Sequence, residues 1–298
     1  MLQQLINGLS LGSIYALIAL GYTLVYGILR FINFAHGDVF MIGAFMGYYL
    51  AKPLFLLFGP SSVVASVLII LLSMIICAFL GVVIERFAYR PIRSRAKLTM
   101  LITAIGVSLF LEFGGQLLFG PDPKLFPSLV PNFPVIHTQS VVLSSVPIIV
   151  VSVSLLLMLL LRFLVLKTRI GIAMRAVAQN PQAASLMGIN LDRIISFTFA
   201  VGSALAAAAG ILYATLYPSI NPLMGIFPGL KAFIAAVLGG IGNIPAAVLG
   251  GFMLGLIETF VTGYVSATYR DAIAFGILIF ILLFRPAGLL GSVKAEKV

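Results

Sequence analysis

VVASVLIILLSMIICAFLGVVI, residues Val63–Ile84, contains no charged side chain and is apolar on every helical face. An α-helix needs about 20 such residues to cross the hydrocarbon core of a bilayer. A membrane strand would instead show short segments of alternating polarity. The run from Leu5 to Leu29 has the same character and a similar length. These stretches predict an all-α fold, a polytopic α-helical membrane protein.

Composition agrees with that reading. Of 298 residues, 61% are hydrophobic and 9% charged, whereas roughly a quarter of an average soluble domain is charged. Eighteen Lys and Arg against eight Asp and Glu give a net charge of +10. A nucleic-acid surface would carry such an excess, but its placement points elsewhere. Arg86, Arg90, Arg93, Arg95 and Lys97 fall in one connection, and Arg162, Lys167, Arg169, Arg175 and Arg193 lie in or beside another. Clustering of that kind marks cytoplasmic loops. The single cysteine, Cys77, sits inside an apolar run, so no disulfide framework exists. No basic residue precedes Arg30 and no small-residue cleavage pattern follows a short apolar core. Leu5–Leu29 is therefore expected to stay in the mature protein rather than act as a signal peptide.

With both basic loops on the cytoplasmic side, spans are predicted near 5–29, 38–58, 62–84, 99–119, 142–166 and 194–217, and the amino terminus lies outside. The connection after the fourth span carries Pro121, Pro123, Pro127, Pro131, Pro134 and His137. It reads as an irregular external loop open to a partner. From Lys231 to Val265 the chain is apolar but about 35 residues long, too long for one span. Gly239, Gly240, Gly242 and Pro245 interrupt it, which predicts a hairpin or broken pair. A last span near 272–285 leaves Lys294, Lys297 and the carboxyl terminus in the cytoplasm. The expectation is one domain, 1–298, with about eight to ten crossings, some of them broken or re-entrant.

The stretch RFINFAHGD, Arg30–Asp38, breaks the apolar pattern in a similar way. Gly43 and Gly47 follow it as Gly251 and Gly255 follow the later break, which hints at an internal repeat. Paired interruptions mark pathways in transporter folds, while the glycine spacing, seen also at Gly8 and Gly12, equally suits plain close packing of helices in lipid. The candidate pathway residues are Asn33, His36, Asp38, Gly240, Gly242, Asn243 and Glu258. Some carry plainer readings as well. Asp38 stands before the apolar run Val39–Leu50 and is expected to cap that helix. His36 would then be a satisfied hydrogen-bonding residue or share a polar lining with Asn33. Glu258 and Glu112 lie in apolar runs without an evident local cation. Glu258 reads equally as pathway lining or as an interhelix hydrogen bond, and Glu112 as partly solvated near the outer end.

Enzyme chemistry has no foothold. Gly239–Asn243 resembles a phosphate loop only superficially, because no Gly-x-x-x-x-Gly-Lys-Ser/Thr occurs in the chain. Neither a Gly-x-Ser-x-Gly elbow nor a His-Glu-x-x-His zinc pair is present. No catalytic residue, cofactor or metal is expected in this chain.

The most informative polar segment is KTRIGIAMRAVAQNPQAASLMGINLDR, Lys167–Arg193. Asn180 suits an N-cap, Pro181 the first helical position and Gly188 the left-handed residue past the end. They frame a short helix from Pro181 to Met187. Such a helix is far below the ~12–15 residues needed for marginal stability alone, so it must dock. Its small face, Ala183, Ala184 and Met187, suits insertion into a groove, although a surface loop lying on lipid headgroups would look alike.

Four long motifs lie in order along the chain: NGLSLGSIYALIALGYTLVYGILRFINFAHGDVFMIGAF (Asn7–Phe45), IERFAYRPIRS (Ile84–Ser94), RAVAQNPQAASLMGIN (Arg175–Asn190) and KAFIAAVLGGIGNIPAAVLGG (Lys231–Gly251). Together they resemble the inner-membrane permeases of Liv-type ATP-binding-cassette importers for branched-chain amino acids, over almost the whole chain. The resemblance implies a permease without an ATPase site, paired with a second homologous permease as a heterodimer. It further implies two ATPase subunits that bind ATP and Mg, an extracytoplasmic binding protein that delivers the amino acid, and the plasma membrane of a bacterium. Arg175, Asn180, Pro181, Ala184 and Gly188 would belong to the segment that inserts into an ATPase. Ala246 departs from the glycine common at that place, which stiffens the turn. Related permeases carry urea, short amides or other amino acids, so the substrate stays open. An ion-coupled transporter using Asp38 or Glu258 and a passive channel remain competing classes.

Overall fold

A computed structural model describes residues 1–60, 62–138 and 141–290. The chain runs through α1 (Leu2–Leu29), α2 (His36–Phe58), α3 (Val63–Ile84) and α4 (Lys97–Phe119). Next come α5 (Ser145–Lys167), two short helices α6 (Arg169–Gln179) and α7 (Pro181–Leu186), and α8 (Leu191–Leu216). It ends with α9 (Ile226–Gly239), α10 (Ile244–Tyr264) and α11 (Arg270–Phe284). Among the described residues eight helices are long and apolar enough to cross a membrane, α11 together with the helical turn Ala267–Tyr269 that leads into it.

Helix α1 is the axis of the bundle: 89% of its most apolar window is buried, against 17% for α4 and 11% for the last span. The shell helices α3, α4, α5 and α11 turn large aliphatic and aromatic side chains outward, such as Phe79, Phe110, Leu159 and Phe280, as lipid-facing surfaces do. Glycine lets the inner helices touch. A Cβ on Gly251 of α10 would stand 2.5 Å from Ala16 Cα of α1, and one on Gly43 of α2 would collide with Ala207 of α8. The repeated glycine spacing thus serves backbone contact in a medium where helix association depends on close packing.

Side-chain bonds assign the ends of the helices to two faces. Arg90 and Arg93 both donate to Asp192, and Arg30 Nη2 donates to the Ala178 carbonyl at 3.3 Å. Both basic connections and the end of α1 therefore share one face, the basic end. At the opposite face the Val142 amide donates to Gln3 Oε1, and Ser66 Oγ donates to the Leu129 carbonyl at 2.5 Å.

Three expectations need correction. The connection after α4 is not wholly irregular: β1 (Lys124–Leu125) pairs with β4 (Ser219–Ile220), and β2 (Pro134–Thr138) pairs antiparallel with β3 (Val141–Ser144). Pro134 is tolerated because it occupies the first residue of its strand. The late break is real, but its first helix starts at Ile226 rather than Lys231 and has 14 residues. At 1.5 Å per residue that is about 21 Å, short of the roughly 30 Å hydrocarbon core, so α9 covers only part of a crossing, and the non-helical stretch 217–225, which holds β4, leads into it. The last helix begins at Arg270. Lys294 and Lys297 lie outside the described residues.

The early break also enters the bundle. A side chain added at Gly21 would meet the His36 ring, and Gly21 lies eight residues, roughly 12 Å, before the end of α1. After the left-handed turn at Arg30, φ 56°, the segment 31–35 therefore doubles back alongside α1. Irregular backbone at such depth is tolerated where protein or a cavity surrounds it.

Candidate functional site

The two irregular segments meet. A Cβ on Gly37 would lie 2.7 Å from the Gly225 carbonyl oxygen and 3.2 Å from Gly229 Cα. The early break is thus apposed to the end of 217–225 and the start of α9. Gly240, Gly242 and Asn243 sit elsewhere, in the reversal between α9 and α10. Gly240 and Gly242 take φ of 127° and 93°, and the Asn243 side chain accepts from Ala246 to cap α10. This reversal packs on the chain's later segment, with the Leu290 amide donating to the Gly239 carbonyl at 2.9 Å and Asn243 Nδ2 to the Leu290 carbonyl at 3.4 Å. Its glycines supply a turn that needs positive φ.

A cavity of about 210 Å³ lies where the breaks meet, lined by Tyr22, Phe34, Asp38, Ser108, Glu112 and Leu230 among others. Asp38 is not the N-cap: α2 starts at His36, capped by Ala35 without a side-chain bond, which moves Asp38 into the first turn. There its carboxylate still meets the positive helix end, and Ser108 Oγ donates to Asp38 Oδ2 at 2.5 Å. Glu112 faces the same cavity from α4 and is partly exposed there, as a partly solvated carboxylate would be. Asn33 and His36 stand in the walls behind it. Asn33 Oδ1 accepts from the Tyr89 hydroxyl at 2.6 Å. The His36 ring lies edge-on to Tyr22, centroids 4.7 Å apart, and its Nε2 has no hydrogen-bond partner, so His36 is not fully satisfied.

Glu258 has a cation that sequence reading missed. Lys231 Nζ stands 2.5 Å from Glu258 Oε1 and 2.7 Å from Asp271 Oδ1, and the Tyr15 hydroxyl donates to Glu258 Oε2 at 2.8 Å. Lys231 and Glu258 are 2% and 0% exposed. The signal was present: they are the two charged side chains between Ile226 and Tyr264, opposite in sign and on the two sides of the late break.

At the basic end, α6 buries Gly171, Met174 and Val177, and the chain then turns through Asn180, whose side chain accepts from the Ala183 amide. Pro181 opens α7, which ends at Leu186, one residue earlier than expected, and Gly188 takes φ 81°. The expected small face divides. Ala184 turns into the chain's own interior and is 4% exposed, whereas Leu186 and Met187 are 89% and 82% exposed. Arg175 is exposed on α6. Among the described residues no group of three or more His, Cys, Asp or Glu side chains is placed to hold a metal.

A family model described as "Branched-chain amino acid transport system / permease component" matches residues 4–282. Over 301 residues the chain is 46% identical to the high-affinity branched-chain amino acid transport system permease protein BraD of Pseudomonas aeruginosa, covering 100% of this chain and 98% of that protein. It is 43% identical over 300 residues to the high-affinity permease protein LivH of Escherichia coli K12, covering 100% and 97%. Identity to the probable branched-chain amino acid transport permease protein LivH of Methanocaldococcus jannaschii is 30% over 297 residues, covering 94% and 89%. No solved structure matches the chain.

Proposed function

This chain belongs to the permease family of the branched-chain amino acid transport system, and from that premise we propose how it works. It is the channel-forming subunit of an ATP-binding-cassette importer. It sits in the bacterial plasma membrane with the basic end in the cytoplasm and the amino terminus outside. A second homologous permease completes the pathway as a heterodimer. Two separate ATPase subunits bind ATP and Mg, and an extracytoplasmic binding protein delivers leucine, isoleucine or valine.

The observation that carries this reading is α7. A six-residue helix is not stable by itself, yet this one is capped at both ends and points Leu186 and Met187 into open space beside the basic loops. Two large apolar side chains exposed on a rigid, polar-flanked tip suit insertion into a groove of a soluble partner. An ATPase that moves on nucleotide binding would push the bundle through this contact, because α7 is joined to α8 and lies on α6.

Leu186→Asp with Met187→Asp tests it in the fully reconstituted importer. ATP-driven uptake of leucine should be lost, together with the stimulation of ATPase activity by loaded binding protein. Unaltered uptake and stimulation would remove α7 from the mechanism. The ion-coupled alternative draws on the carboxylate of Asp38 or of Glu258, and uptake by this chain alone under an ion gradient would establish it instead.

A further inference from the structure

We propose that the cavity beside Lys231, Arg270 and Asp271 is a binding station for an amino-acid zwitterion within the permease itself, so that selection of substrate is not left to the binding protein alone. This rests on the transport reading above and adds a site to it.

Burying ions in a membrane protein is costly, and apolar residues of similar volume hold helices together at least as well. Ionisable side chains kept inside the membrane therefore mark substrate pathways. Here Lys231 and Glu258 are buried, and Arg270 and Asp271, 44% and 41% exposed, join them in one connected cluster. Lys231, Arg270 and Asp271 line a cavity of about 530 Å³, within the roughly 300–1,000 Å³ of small-ligand sites. A second cavity of about 370 Å³ shares Leu11, Tyr217 and Arg270 with it and reaches Gln4 and Asn7, near the end away from the basic loops. Arg270 thus stands between an outer approach and the larger chamber.

The cluster matches the ligand in charge and in shape. Two cations and two carboxylates sum to zero, so a zwitterion enters without leaving net charge in a medium of low dielectric, whereas an isolated anion or cation would. An ammonium has three donors, and Lys231 spends two of them, on Glu258 and Asp271. Arg270 bonds Asp271 through Nε, leaving the terminal nitrogens of its fork to meet a carboxylate side by side. Asp271, 41% exposed at its side chain, is placed to accept from the substrate's ammonium. Leu11, Leu223, Met224 and Phe227 supply an apolar wall for a branched aliphatic chain. The smaller chamber at Asp38 and Glu112 offers two carboxylates and no Lys or Arg among its lining residues, so it cannot pair both ends of a zwitterion.

The test uses the assembled permease–ATPase complex in nanodiscs, without the binding protein, and measures saturable binding of radiolabelled L-leucine. Unlabelled leucine should displace the label. 4-Methylpentanoate, which lacks the ammonium, and 3-methylbutylamine, which lacks the carboxylate, should fail at the same concentrations. Arg270→Gln, which removes a charge-assisted contact, and Ser219→Trp, which fills the chamber, should each weaken binding at least tenfold while the variant still copurifies with the ATPases. The proposal requires both losses. Full-strength binding in either copurifying variant, no saturable binding to the wild-type complex, or displacement by either analogue as effective as by leucine overturns it. ATP-driven uptake by the wild-type complex, reconstituted in proteoliposomes with the binding protein added, is followed in parallel: its absence defeats the transport reading, whereas its presence alongside any of those results defeats the site alone.

Discussion

The Lys231–Glu258 pair makes an asymmetric prediction about stability. Lys231→Met leaves Glu258, 0% exposed, without its cation and with only the Tyr15 hydroxyl as a donor. Removing one partner of a buried pair costs about 3–5 kcal/mol. Glu258→Gln is milder, because Lys231 keeps Asp271 at 2.7 Å and the amide oxygen still accepts from Tyr15. The loss is then one charge-assisted bond, about 1.5–3 kcal/mol. Replacing both, Lys231→Met with Glu258→Leu, removes the stranded charge and brings stability back towards the wild type, since apolar pairs of similar volume replace buried ion pairs at little or no cost. Thermal unfolding of the four purified proteins in one detergent gives the ranking: wild type and double variant highest, Glu258→Gln below them, Lys231→Met lowest. The double variant should lie well above the stability that the summed single losses, about 4.5–8 kcal/mol, would leave. Additive losses, or a Glu258→Gln cost equal to that of Lys231→Met, would refute the reasoning.

Other outcomes follow from the same geometry. Asn180→Ala removes the side chain that holds the Ala183 amide, a cap worth about 1 kcal/mol, and should lower ATPase stimulation by loaded binding protein without blocking assembly; undiminished stimulation would contradict it. Gly251→Val drives a side chain into the α1 backbone at Ala16 and should abolish accumulation of folded protein. Gly27→Ala, where nothing lies within 4 Å of an added Cβ, should be tolerated, and equal expression of the two variants would show that the α1–α10 seam is not tightly packed. In a Cys77→Ser background, a cysteine at Ser219 should react with a membrane-impermeant thiol reagent added from the side away from the basic loops. A cysteine at Asn33, buried against Tyr89, should stay inert, and the reverse pattern would misplace both cavities.

Local grammar was legible because the chain states it locally. The caps at Asn180 and Gly188 fell where helix-end chemistry puts them, and the early spans were found within a few residues. The start of α8 at Leu191 rather than 194 also had a signal, since Asn190 accepts from the Arg193 amide as an N-cap. What eluded the sequence was pairing across distance. Nothing local says that Gly37 rests on Gly225 and Gly229, because backbone contact between glycines leaves no periodicity. Lys231 reads in sequence as the edge of an apolar run because its two carboxylates lie on α10 and at the start of α11. Asp38 was expected as a cap because the apolar run begins after it, whereas the hydrogen-bonded turns of α2 begin at His36. The facing of Ala184 is set by closure of α7, with the Ile189 amide returning to the Ala184 carbonyl at 3.1 Å.

The central claim is that this chain conducts only when separate ATPases drive it. Proteoliposomes holding the second permease, both ATPases and this chain, supplied with binding protein and labelled leucine, test that claim most directly when set beside liposomes holding this chain alone. Accumulation should require hydrolysable ATP and every component, and the single chain should accumulate none under a proton or sodium gradient. Leucine accumulation by the single chain, with or without an ion gradient, would contradict it.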